Sequence, residues 1–100
     1  MTTLDHASPD TTSQTRTVTL RYFAWVREKV GTSEEAIEIP TNLETVAQLI
    51  DWLKQRGENY SAAFERAEVI RTALDQTHAG PQSSIADADE IAFFPPVTGG

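Results

Sequence analysis

The sequence predicts an α+β roll: a mixed sheet of four to five strands packed on one main helix. Three observations carry this expectation. Short runs of strand-forming residues recur at 16–23, 36–39, 69–74 and 91–94. Between the second and third, Val46, Leu49, Ile50 and Leu53 recur at i, i+3, i+4 and i+7, which is the apolar stripe of a helix. The last strand runs into Pro95-Pro96, and the chain then finishes on Val97-Thr98-Gly99-Gly100.

Met1 to Thr15 is rich in Thr, Ser and Asp and almost free of apolar residues, so it is expected to be a disordered leader. The folded domain is expected over 16–94. Arg16 to Phe23 alternates with period two, with Val18, Leu20 and Tyr22 on one face. Phe23 breaks the polar side; either it folds into the core beneath a loop or it belongs to a partner surface. Ala24 to Val30 reads as a short helical turn that Gly31 ends in the left-handed conformation. Ala36-Ile37-Glu38-Ile39 reads as a second strand stopped by Pro40, forming a hairpin-like pair with the first.

Thr45 with Gln48 makes a capping box at the start of the main helix, and Thr41 with Glu44 makes a rival one a turn earlier. Arg56 and Gly57 are expected to close that helix, Gly57 at its C′ position. Trp52 lies at the edge of the stripe. Tyr60 to Arg66 reads as another helical turn with Phe64 tucked under the sheet. Val69 to Leu74 reads as the third strand, with a short strand at Thr77-His78 beyond a turn. Asp87-Ala88-Asp89-Glu90 is an acidic turn before the last strand, where Ile91 and Phe93 share one face and Phe94 lies beside Ala92 on the other.

Composition excludes several functions. Eight Lys+Arg against 15 Asp+Glu give a formal charge of −7, which argues against nucleic acid and favours a partner with a basic face. No apolar run has the length of a membrane span and the first residues lack a signal pattern, so a cytoplasmic location without membrane association is expected. The chain contains no cysteine. Disulfides and thiolate metal sites are excluded, and no side chain can hold sulfur as a persulfide or an acyl group as a thioester. His78 is the only histidine of the expected domain, and with no Cys or second His there to join it no metal site is expected.

The end of the chain is the candidate working part. Two prolines fix φ and remove two backbone donors, so sheet pairing must stop at Phe94. Residues 95–100 are expected to leave the body as an extended arm reaching roughly 20 Å. Gly99 and Gly100 carry no Cβ, so a partner's backbone can close tightly around them. Such an arm presents one reactive group, a terminal carboxylate. The plainer alternative is a frayed tail without a role.

Arg21-Tyr22-Phe23-Ala24 leading to Arg27-Glu28 and Gly31, Thr45-Val46 through Leu49, Ala73 to Thr77, and Asp87 to Gly100 together resemble the MoaD family, the small sulfur-carrier subunits of molybdopterin synthase. The resemblance runs from about Val18 to Gly100, and Phe-Phe-Pro-Pro-Val-Thr-Gly-Gly is its most specific piece. It implies the ubiquitin-like β-grasp fold. It also implies that an E1-like adenylating enzyme activates Gly100 with ATP, that a sulfur donor protein converts it to a thiocarboxylate, and that the arm delivers the sulfur inside the large synthase subunit. No cofactor is then bound by the isolated chain, and the small subunit acts only as part of the sulfurtransferase complex. Gly99, Thr98, Val97, Pro96 and Pro95 would line the partner's channel, with Phe94 and Phe23 in the interface. The rivals are a sulfur carrier of another pathway, such as thiamine biosynthesis, and a protein modifier joined to lysines. Two departures stand out. Ala88 occupies a turn position where the family usually has glycine, and Asp75 one where it often has asparagine.

Overall fold

A computed structural model describes residues 14–96. The leader through residue 13 and the end of the arm, Val97, Thr98, Gly99 and Gly100, lie outside the described residues. In chain order the elements are β1 (Thr15–Tyr22), α1 (Ala24–Val30), β2 (Glu34–Pro40), α2 (Val46–Lys54), α3 (Glu58–Ala63), a 3-10 turn (Ala67–Val69), β3 (Arg71–Leu74), β4 (Thr77–Ala79) and β5 (Glu90–Phe94). The five strands form one mixed sheet in the order β2-β1-β5-β3-β4. β1 pairs antiparallel with β2 and parallel with β5. β3 pairs antiparallel with both β5 and β4. This is the α+β architecture the alternating runs predict, with the helices gathered on one face.

The apolar side of each strand closes on α2. Val18, Leu20 and Tyr22 of β1 and Ile91 and Phe93 of β5 are buried, as are Val46, Leu49, Ile50 and Leu53 of α2. Phe64 is fully buried and meets Phe93 edge to face, with ring centroids 5.0 Å apart. Tyr22 stacks on Phe93, with ring centroids 6.1 Å apart. Burying one such ring contributes about 1.5–3 kcal/mol, and truncating it would cost about 3–5 kcal/mol once the cavity is counted.

Local signals behave as the residue chemistry demands, with four differences. Gly31 takes φ 99° and its amide bonds to the Arg27 carbonyl, so it ends α1 as expected. Thr45 caps α2: its Oγ1 accepts from the Gln48 amide at 3.2 Å. The return reach differs, because Gln48 Oε1 accepts from the Glu44 amide at 2.7 Å rather than from Thr45. Gly57 does not occupy a left-handed C′ position; α2 ends at Gln55, and Gly57 is extended and precedes α3. Two helices only a few residues apart leave no room for a separate C-terminal glycine motif. Thr15 belongs to β1, so the sheet starts one residue inside the expected leader, with the Thr15 hydroxyl donating to Glu38. Val69 and Ile70 lie outside the third strand, which starts at Arg71 after the 3-10 turn.

One polar cluster ties the sheet to the helices. The hydroxyls of Tyr22 and Tyr60 both donate to Glu35 Oε2, each at 2.8 Å. Arg56 lies over the Tyr60 and Trp52 rings at 5.1 and 5.5 Å. Burial, reinforced by the Glu35 carboxylate, pushes the Tyr22 phenol far above its usual range, and the same causes raise Tyr60. Both phenols therefore hold their protons more tightly in the folded chain than in the unfolded one, where tyrosine titrates near pH ~10. Their contribution to stability is complete below that pH and is lost above it. Urea midpoints should stay level up to about pH 9 and fall from about pH 10 upward. Tyr22→Phe should flatten that alkaline fall; an unchanged slope would mean that other groups cause it.

Candidate functional site

The arm begins where the sheet is best supported. β5 lies in the centre of the sheet between β1 and β3, and its last residue, Phe94, pairs with Arg71. The Phe23 amide donates to the Phe93 carbonyl at 3.1 Å, the last bond on the β1 side. Pro95 and Pro96 follow without secondary structure and half-buried, so pairing stops where the missing donors require. The root of the arm is thus fixed from both sides.

Of the expected site residues, Phe94 and Phe23 come together at this root. Phe94 is half-buried on the sheet face opposite the core. Phe23 is 40% exposed, the one large hydrophobic side chain so exposed among the described residues. It does not belong to a strand, as the alternation suggested; it is extended just before α1 and its ring lies under the Arg21 guanidinium at 5.4 Å. Its exposure favours the surface alternative over the core one.

The sequence alone did not bring in the basic side chains around these rings. The register aligns Arg21 with Ala92, Ala92 with Ala73 and Ala73 with His78, so this row runs across the uncovered face. The His78 ring meets Phe94 edge-on at 5.6 Å. Arg21 is held by Glu90 at 3.4 Å and approaches Glu34 at 3.9 Å. Phe94 and half-buried Ala92 therefore share the uncovered face with Arg21, Arg71 and His78, and with the Glu34 and Glu90 carboxylates that pair Arg21. Among the described residues no group of three or more His, Asp or Glu side chains is placed to hold a metal. No helix there is long and apolar enough to cross a membrane.

The turns that feed β5 explain the two departures in the sequence. Asp75 and Gln76 both take positive φ, 49° and 73°, and form the two-residue turn between β3 and β4. The Asp75 carboxylate accepts from the amides of Asp89 and Glu90, at 3.1 and 2.9 Å, and so holds the start of β5. Ala88 avoids positive φ; it is buried, its amide bonds to the Ile85 carbonyl, and its own carbonyl accepts from Arg16. Arg16 also donates to the Ile85 carbonyl, so one guanidinium ties this loop to β1. A turn held this way needs no glycine.

A mixed five-stranded sheet packed on its helices, with a central last strand that runs into Pro95 and Pro96, is the ubiquitin-like β-grasp architecture. Residues 20–100 match the ThiS family, and the chain belongs to it. It is 37% identical over 79 residues to a Haemophilus influenzae protein named molybdopterin synthase sulfur carrier subunit, covering 79% of this chain and 94% of that one. The Escherichia coli protein of the same name is 38% identical over 79 residues, with the same coverage. A solved structure from Pyrococcus furiosus, provisionally named molybdopterin converting factor subunit 1, aligns with TM-score 0.63 and 28% identity, over 81% of this chain and 98% of that one. The crystal structure of SAMP1 from Haloferax volcanii aligns with TM-score 0.63 over 85% of this chain and all of that one; at 23% identity it supports the fold alone.

Asp75 supplies the check on how β5 is held. Asp75→Ala loses two hydrogen bonds and places a Cβ residue without a polar side chain at positive φ, so it should cost about 1–2 kcal/mol in urea unfolding. Asp75→Asn keeps an acceptor and the tolerance of that conformation, so its midpoint should stay close to wild type. Equal losses in both variants would show that the carboxylate's charge, not its geometry, holds the turn.

Proposed function

We propose that this chain is the sulfur-carrier small subunit of molybdopterin synthase, and that Gly100 is the residue that carries the sulfur. The observation that supports this most is the family match running to Gly100, together with relatives of that name at 37 and 38% identity over nearly their whole length. The arm's sequence is consistent with it: two prolines after a central strand, then two glycines without a Cβ.

A carboxylate is a poor electrophile. In the proposed cycle an E1-like enzyme joins Gly100 to AMP from ATP, releasing pyrophosphate. The outer sulfur of a sulfur donor protein's persulfide then displaces AMP to form an acyl disulfide, and a thiol of a partner protein reduces its S–S bond, leaving the thiocarboxylate and a disulfide between the two thiols. Inside the large synthase subunit that sulfur attacks a cyclic pyranopterin phosphate, and Gly100 returns as a carboxylate after the sulfur–acyl bond is hydrolysed. Residues Pro95 to Gly99 thread the partner's channel, where tight enclosure positions the sulfur. Phe94 and Phe23 anchor the body at the channel mouth, with Arg21, Arg71 and His78 facing acidic groups on the partner. ATP belongs to the activating enzyme, and no cofactor is assigned to this chain.

The intact mass of the protein from sulfur-replete cells tests the cycle directly. A population heavier by one oxygen-to-sulfur exchange, absent after deletion of Gly100, is expected; a single unmodified mass under all conditions would overturn it. The Gly100 deletion should leave the circular dichroism spectrum and urea midpoint unchanged while abolishing cofactor synthesis. Phe94→Ala should weaken the complex with the large subunit by at least about 1 kcal/mol, read as the dissociation constant by calorimetry. An unchanged constant would remove Phe94 from the interface.

A further inference from the structure

β2 is an edge strand of seven residues, and every one of them is aligned with a residue of β1 without a bulge. The Tyr22 amide bonds to the Ser33 carbonyl at one end of the hairpin, and the Thr41 amide to the Gln14 carbonyl at the other. In an antiparallel pair hydrogen-bonded positions alternate, so Glu35, Ile37 and Ile39 turn their backbone groups toward β1. Glu34, Ala36 and Glu38 therefore turn theirs outward. The Glu34 carbonyl accepts from the Thr32 hydroxyl at 3.2 Å, and Pro40 has no amide to give while its carbonyl accepts from the Leu43 amide. That leaves the Glu34 amide and both backbone groups of Ala36 and Glu38 without a partner among the described residues. The opposite edge strand, β4, has three residues and offers far less.

Charge selects what can add to this edge. Glu34 and Glu38 flank Ala36 on the uncovered sheet face, and the Glu34 side chain is 59% exposed. A second copy pairing antiparallel about Ala36 would set Glu34 against Glu38 of its twin, and Glu38 against Glu34; like charges directly opposite are destabilising. Residues 1–13 contain Asp5 and Asp10 and no Lys or Arg, so this chain's own beginning is disfavoured for the same reason. Natural edges are often charged to prevent indiscriminate pairing, and here the charge rejects acidic and self strands while leaving basic ones admissible.

We propose that the edge of β2 from Glu34 to Glu38 docks an extended lysine- or arginine-bearing segment of a partner protein by strand addition. Main-chain bonds to Ala36 and Glu38 give the segment its direction, and alternate basic side chains meet the two carboxylates. The site lies on the sheet's outer edge, away from Pro95 and Pro96, and does not depend on the proposed sulfur chemistry. It would let one partner hold the body while the arm is engaged elsewhere.

The probe is an acetylated, amidated peptide that alternates lysine with valine and matches β2 in length, titrated into the isotope-labelled full chain. Hydrogen exchange at the Ala36 and Glu38 amides should slow at least about tenfold on saturation. The same peptide with glutamate for lysine should not bind. Joint replacement Glu34→Lys and Glu38→Lys should weaken the lysine peptide at least about tenfold and admit the glutamate peptide. Ala36→Pro removes an outward amide that β1 does not use, and should abolish the protection. Equal binding of both peptides, shifts confined to other elements, or lysine-peptide binding unaffected by Ala36→Pro would each overturn the proposal. Should Ala36→Pro not fold, the charge-reversed pair and the exchange rates decide alone.

Discussion

The structure depends on the parallel pairing of β1 with β5. Residues near opposite ends of the chain, Leu20 with Ile91 and Tyr22 with Phe93, become neighbours in the middle of the sheet. Closing that pairing orders a long loop, at an entropic cost that grows only slowly with its length. The aromatic stack of Tyr22, Phe93 and Phe64 offsets that cost in the core. Burying the last strand this way has a mechanical consequence. A central strand cannot slide or fray as an edge strand can, so the residue that follows it starts from a fixed point.

This arrangement was legible in parts that depend on local chemistry. The period-two faces of β1 and β5, the stripe of α2, the stop at Pro95 and the left-handed Gly31 all follow from residues near one another. The missed features depend on distant partners. Glu35 receives hydroxyls from residues 13 and 25 positions away, and no spacing within the sequence announces that meeting. Gly57 looked like a helix stop because glycine after a basic last turn usually is one; the closeness of α3 overrode the preference. The turn at Asp75 and Gln76 needs positive φ without a glycine, so it was visible as a turn but not as that turn.

The candidate site was legible in the same uneven way. Phe94 and Phe23 could be singled out because each interrupts an alternating pattern. The basic border could not, because Arg21, Arg71 and His78 are 50 residues and 7 residues apart in sequence and meet only through the strand order. Arg21 there is already paired with Glu34 and Glu90, so Arg71 is the guanidinium beside Phe94 with no ion pair among the described residues.

The buried titratable groups argue for where the chemistry is not. Burial and Glu35 raise Tyr22 and Tyr60 further from neutral pH, so both phenols stay protonated there. Their shared carboxylate is engaged by both hydroxyls and belongs to β2, two strands from β5 in the sheet order. Such a cluster stiffens the body rather than reacting. A body stiffened in this way holds the end of β5, and with it Pro95 and Pro96, in one place relative to the rest of the sheet.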